Sequence, residues 1–206
     1  MNNTIVFNID NTTFIEVILP CQINELEGCE IVTINLHFGN QFYTLYKYNC
    51  IEIAIENLRN LLKQAINNEL GIHSSILKDL GYLANEYFQE SSQELFFRRE
   101  KVKMWIGMEY LVWSPRGTST WLFNKNREIF LEITPSYMWH FSDPEEGENF
   151  ITYEEFLKDY KPHCIFKLSK EIVLEWLNKT EELLNIMKRN YEQCKYLHEA
   201  EVSSID

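Results

Sequence analysis

Strand-forming apolar residues run through the first fifty positions, with a period-two alternation that is imperfect at first and clean only in Glu30–Phe38, and they predict strands. Thr4–Ile9 and Thr13–Leu19 are the first two, separated by the turn pair Asp10-Asn11; Pro20 ends the second, and Gln22–Gly28 is a polar loop. Glu30–Phe38 alternates most cleanly. It places Val32, Ile34, Leu36 and Phe38 on a core face and Ile31, Thr33, Asn35 and His37 on the other. Gly39-Asn40 tolerates the positive φ of a two-residue hairpin turn, so Gln41–Tyr48 returns as the partner strand. The period then changes. From Cys50 to Leu70 the apolar residues fall at Ile51, Ala54, Ile55, Leu58, Leu61, Leu62, Ala65, Ile66 and Leu70, the stripe of an amphipathic helix. Asn49 is placed to cap its start and Gly71 its end. Ser75–Phe88 has a weaker helical spacing (Ile76, Leu80, Leu83, Tyr87) interrupted by Gly81, and Glu90–Lys103 reads as a linker or an extended lead-in.

The stretch Met104–Phe141 holds Trp105, Trp113, Trp121 and Trp139 and predicts a three-stranded antiparallel meander. Its strands are Ile106–Ser114, Ser119–Phe123 and Glu128–Thr134, joined by the turns Pro115-Arg116-Gly117 and Asn124–Arg127. An acidic loop, Ser142–Phe150, follows. Thr152 with Glu155 forms a capping box that opens a short helix ending near Tyr160. His163–Leu168 is a short strand, and Ser169 precedes a helix over about Lys170–Glu199 with Ile172, Trp176, Leu183, Met187, Tyr191 and Cys194 as its stripe. Such a helix runs roughly 45 Å, enough for its last turns to project past a core or rest on a second copy. The expected fold is α+β. Antiparallel sheets, four N-terminal strands and the central meander, are covered by the amphipathic helix and the long C-terminal helix. Residues 1–206 form one domain, with a subdivision between residues 1–71 and 104–206 as the alternative.

Composition narrows the function classes. Hydrophobic residues are 45% of the chain and aromatics 14%, which excludes a disordered polypeptide. Thirty-one acids against 19 bases give a net charge of −12, which argues against nucleic acid as a partner and suits a basic protein. The five cysteines show no CxxC spacing and fit reduced thiols. MNNTIVFNID carries no basic n-region, and no stretch approaches the roughly 18 apolar residues of a membrane span, so the expectation is a cytoplasmic protein with no membrane partner.

Catalytic signatures are missing from the sequence. His37, His73, His140, His163 and His198 never pair at i, i+3 or i+4, so neither a metal site nor a cofactor is expected. Ser114-Pro115-Arg116-Gly117 is a hairpin turn and not a phosphate loop, and no GxSxG, HExxH or GxGxxG occurs. His140, near Asp143, is the only candidate for acid–base work. Charge is more informative: from Phe141 to Lys161 seven carboxylates (Asp143, Glu145, Glu146, Glu148, Glu154, Glu155, Asp159) face two lysines. Part of this is helix-dipole stabilisation by Glu154 and Glu155. The rest, with Tyr137 and Trp139 from the YMWHF run as aromatic anchors, reads as a docking surface.

Tyr110-Leu111-Val112-Trp113-Ser114, Thr120-Trp121-Leu122-Phe123-Asn124 and Glu132-Ile133-Thr134-Pro135 with Tyr137, Trp139 and Phe141 form a pattern of aromatic positions. Together with Ile151–Pro162 (ITYEEFLKDYKP), that pattern resembles immunity proteins of bacterial contact-dependent inhibition and related polymorphic-toxin systems. The resemblance covers the C-terminal half and carries over no binding residue by position. It implies a non-enzymatic cytoplasmic protein that binds and neutralises a cognate toxin domain. Two alternatives stand beside it: a small enzyme using His140 with a nearby carboxylate, and a structural or regulatory module that dimerises through the C-terminal helix.

Overall fold

Among the described residues every pair of named strands is antiparallel. The computed structural model describes residues 3–76, 78–90, 96–99, 102–140 and 143–203, and the protein is α+β. Two compact units emerge: Met1–Ile66 with Lys170–Asp206, and Asn67–Ser169. Among the described residues no helix is long and apolar enough to cross a membrane.

The first unit is a four-stranded sheet in the order β1 (Asn3–Asn8), β2 (Thr13–Leu19), β3 (Ile31–Phe38), β4 (Gln41–Cys50). Asp10 shapes the first turn, its Oδ1 accepting the backbone N–H groups of Thr12 and Thr13. Gly39, at φ 58°, turns β3 into β4 as expected. Ile5, Phe7, Ile15, Val17, Ile34, Leu36 and Leu45 are buried on the core face. Phe38 departs from the expected set: the last residue before the hairpin turn, it is exposed. Asn35 is buried instead, where the register slips between Ile34 and Asn35.

Helix α1 (Ile51–Ile66) follows β4 without a loop. Asn49 does not cap it; its Oδ1 takes the N–H of Cys50. The first helical amides, Ile51 and Glu52, donate to the carbonyls of Glu30 and Gly28. The helix ends before Gly71, with Asn68 supplying the left-handed residue at φ 60°.

Helix α4 (Lys170–Ser203) packs along α1, with Lys63 and Glu181 paired at 2.7 Å. Its buried positions are Val173, Trp176, Thr180, Leu183, Met187 and Asn190, a strict 3,4 spacing like a coiled-coil seam. Ile172 is only half-buried and Tyr191, at 60% exposure, lies outside the seam, because two polar residues hold places the apolar pattern assigned elsewhere. Thr180 donates to the Leu177 carbonyl, and the Asn190 amide donates to the carbonyls of Asn24 and Leu26. Higher up, Trp176 Nε1 donates to Asn8 O and Lys179 Nζ to Val6 O. These alternate carbonyls belong to β1, the edge of the sheet, so the helix satisfies an edge that would otherwise be a template for pairing.

The second unit has the sheet order β10-β9-β8-β7, from β7 (Leu111–Trp113), β8 (Thr118–Lys125), β9 (Glu128–Pro135) and β10 (Cys164–Leu168), all antiparallel. Asn126 and Arg127, both at positive φ, make the tight β8–β9 turn. Asn124, expected in that turn, is buried in β8 and holds residues 70–72: its side chain and backbone bond Leu70, and its carbonyl accepts from Ile72. The first meander strand is shorter than expected. Ile106–Tyr110 is a 3-10 turn wound over the buried Trp105 indole, whose ring would collide with any Cβ at Gly107. Trp105 meets Trp121 edge-on at 5.7 Å and stacks on Tyr87 at 5.8 Å. Tyr87 belongs to α2 (Leu80–Glu90), and the segment before Trp105 is a hairpin of β5 (Phe96–Arg99) and β6 (Val102–Trp105). Helix α3 (Tyr153–Lys158) has the capping box expected of Thr152 and Glu155.

Candidate functional site

In the acidic stretch after β9, residues 143–151 are held as a hook and not a loose loop. Arg116, in the β7–β8 turn, reaches Glu145 at 3.0 Å and Glu148 at 2.7 Å. Glu148 Oε2 also accepts the backbone N–H of Glu145 at 2.9 Å and Trp139 Nε1 at 3.2 Å. The Glu145 amide first, then Trp139 and Arg116, hold the Glu148 carboxyl below the usual carboxylate range. Trp139 packs edge-on against Tyr137 at 5.5 Å and Phe150 at 5.2 Å, and the Tyr137 hydroxyl donates to Ile151 O at 3.0 Å.

Each expected site residue now has a place. Tyr137 is not a surface anchor: at 9% exposure it is enclosed by Tyr153, Phe156 and His140 and positions the hook from beneath. Trp139 is half-buried. Glu145 and Glu148 are paired with Arg116, and Glu155 bonds the Thr152 amide in the capping box. Asp143, Glu146, Glu154 and Asp159 are exposed and form no ion pair among the described residues. What the sequence reading missed is the apolar tip, Phe150 at 52% exposure and Ile151 at 38%. Its only sequence signal was an aromatic–aliphatic pair closing a run of acids.

His140 sits among amides. Its Nε2 meets Asn85 Oδ1 at 3.3 Å and its Nδ1 meets Gln89 Oε1 at 3.2 Å, while burial pushes its pKa down. Asn85 spends its own N–H groups on the carbonyls of Gly81 and Pro135, so Oδ1 faces the ring as an acceptor and fixes a proton on Nε2. Nearby, Ser119 bonds Ser114 at 3.0 Å and Ser136 at 2.6 Å. These polar contacts tie α2 to the end of β9.

A second constellation lies on the face of the sheet that α2 covers. Phe130, Glu132 and Thr134 alternate along β9 beside Trp121 and Phe123 of β8. Glu132 is only 2% exposed, and its Oε1 meets no hydrogen-bond donor among the described residues. Burial, with Asp79 adding to it and Lys125 opposing, pushes its pKa up to about 7. It lines a cavity of about 600 Å³ with Ile72, Ile76, Phe123, Phe130 and Ile165. Asp79 is otherwise engaged: its Oδ1 accepts Tyr82 N at 2.7 Å as the N-cap of α2, and the Tyr160 hydroxyl at 2.5 Å. Thr134 completes the chain, accepting Trp121 Nε1 at 2.9 Å and bonding Tyr160, whose phenol is driven far above its usual pKa by burial and by Asp79.

Gly81 is what lets α2 approach. A Cβ there would collide with Thr134 Oγ1 and the Tyr160 hydroxyl, both held by the bonds just named. Gly81→Ala is expected to lower stability by about 1–3 kcal/mol, as overpacking does. A urea midpoint unchanged from wild type would show that the contact relaxes freely.

No family model, no curated protein and no solved structure matches the chain. Among the described residues no group of three or more His, Cys, Asp and Glu is placed to hold a metal ion.

Proposed function

We propose that the chain is a non-enzymatic, cytoplasmic immunity protein that binds a cognate toxin domain with a basic surface and neutralises it by occlusion. The observation that carries this reading is the hook: an apolar tip, Phe150 and Ile151, held by Arg116 and Tyr137 among four carboxylates that form no ion pair among the described residues. Fixing the segment before it meets a partner removes ordering entropy from the binding step. Large apolar side chains at the centre supply affinity, and uncommitted carboxylates around them accelerate encounter with a basic surface.

The test is co-purification with the toxin domain encoded in the neighbouring upstream gene. Neutralisation is expected to saturate at one equivalent, as binding and not turnover requires. Phe150→Ala should weaken the complex about 10- to 30-fold. Reversing Asp143, Glu146, Glu154 and Asp159 to lysine should slow association at least about tenfold at low salt. Protection by both variants at wild-type strength would remove the hook from the interface.

A further inference from the structure

A carboxylate buried on the central part of a sheet, with one oxygen facing no donor, is a costly arrangement. An unsatisfied buried polar group costs about 1–3 kcal/mol, and more if charged. Glutamine or a hydrophobic residue would fold at less expense at position 132. Glu132 nonetheless faces a cavity of about 600 Å³, within the range that small ligands occupy. The walls are mostly hydrocarbon and the innermost polar group is an acid. The cations Lys78 and Lys125 stand at the exposed rim. Lys78 is already committed, to Glu86 at 3.1 Å and to the face of Tyr82. An anionic ligand reaching the floor would therefore meet Glu132 with Asp79 behind it. A cation would meet an acceptor with one oxygen that has no donor among the described residues.

We propose that this cavity is a binding site for a small amphipathic amine, its ammonium group received by Glu132 and its apolar body lying against Ile72, Ile76, Phe123, Phe130 and Ile165. An ammonium–carboxylate hydrogen bond is of the charge-assisted kind, and the mostly apolar lining strengthens it. The ionisable groups that interact electrostatically with Glu132 are Asp79 at the start of α2, Lys125 of β8, Tyr160, and Cys164 of β10, whose thiol burial pushes up to about 12. Glu132 itself has its pKa pushed up to about 7. The amine, with an ordinary pKa near ~10, stays charged throughout. Affinity should therefore rise as pH goes from 5.5 to 8, because binding requires the ionised acid. This site is separate from the hook, and its occupancy does not depend on the immunity reading.

The experiment titrates 4-phenylbutylamine into the full chain, following isoleucine methyl signals by NMR at pH 5.5 and pH 8, with 4-phenylbutanol and 4-phenylbutyrate as controls. Tighter binding of the amine at pH 8 by about 30-fold is expected, the ratio set by a group titrating near 7. Glu132→Gln should lose at least about tenfold at pH 8 and become indifferent to pH. Ile165→Lys, at a position 53% exposed on the cavity wall, should weaken binding without touching the core. Equal binding of the alcohol, undiminished binding by Glu132→Gln, tighter binding of a lysine-containing peptide, or no perturbation at millimolar amine would each overturn the proposal.

Discussion

Trp176→Ala is expected to destabilise the first unit by about 3–5 kcal/mol, the range for deleting a large buried aromatic. Two losses combine at this position. The ring is fully buried and meets Phe7 of β1 edge-on at 5.7 Å. Its Nε1 is also the donor for Asn8 O on the edge of the sheet. Trp176→Phe separates the two: it keeps most of the apolar contact but leaves that carbonyl without its donor, and should cost about 1–3 kcal/mol. Urea unfolding followed by far-UV circular dichroism gives both numbers. An alanine variant within 1 kcal/mol of wild type would mean that α4 does not hold the edge of the sheet.

How much of this was legible in the sequence depends on whether the determinant is local. The β3–β4 hairpin is set by alternation and by Gly39-Asn40, and the helix at Tyr153 by Thr152 and Glu155; all lie within a few residues. The fold class followed from such signals. The seam of α4 was legible in period but not in membership. Thr180 and Asn190 are buried because their polar groups bond Leu177, Asn24 and Leu26, partners the letters do not reveal. Asn49 and Asn68 show the same limit at α1. The amides at the start of that helix find carbonyls about twenty residues upstream in the chain, so the nearer cap is unused.

The candidate sites divide along the same line. The acidic stretch was visible as composition, but its division into committed and uncommitted carboxylates depends on Arg116, which lies about thirty residues away in sequence. Tyr137 and Phe150 exchanged roles because only the fold decides which aromatic of a run turns inward. Glu132 was unreadable for a topological reason. In a three-stranded meander β9 would be an edge and a polar residue on it unremarkable. Pairing with β10 places it inside the sheet, and α2 covers the face that carries Glu132.

Glu132→Gln is expected to stabilise the protein at pH 8 by on the order of 3 kcal/mol and to change little at pH 4.5. The carboxyl has an ordinary pKa of 4.5 when unfolded and about 7 when folded. Between those values the folded state holds the proton that the unfolded state has released, and each unit of difference corresponds to about 1.4 kcal/mol. Stability contributed by the protonated acid is therefore fully present below pH 4.5. It declines as pH rises through the window and is lost above about 7. Glutamine keeps the shape and the hydrogen-bonding group but cannot ionise, so the difference between wild type and variant isolates this one group from His140 and His163, whose burial acts in the opposite direction. Urea midpoints at half-unit steps from pH 4.5 to 8.5 measure it. A difference that does not grow with pH would place the Glu132 carboxyl in contact with water or a counter-charge. A saturating amine should narrow the gap at pH 8, since it supplies the ionised carboxylate with the partner that the folded chain does not.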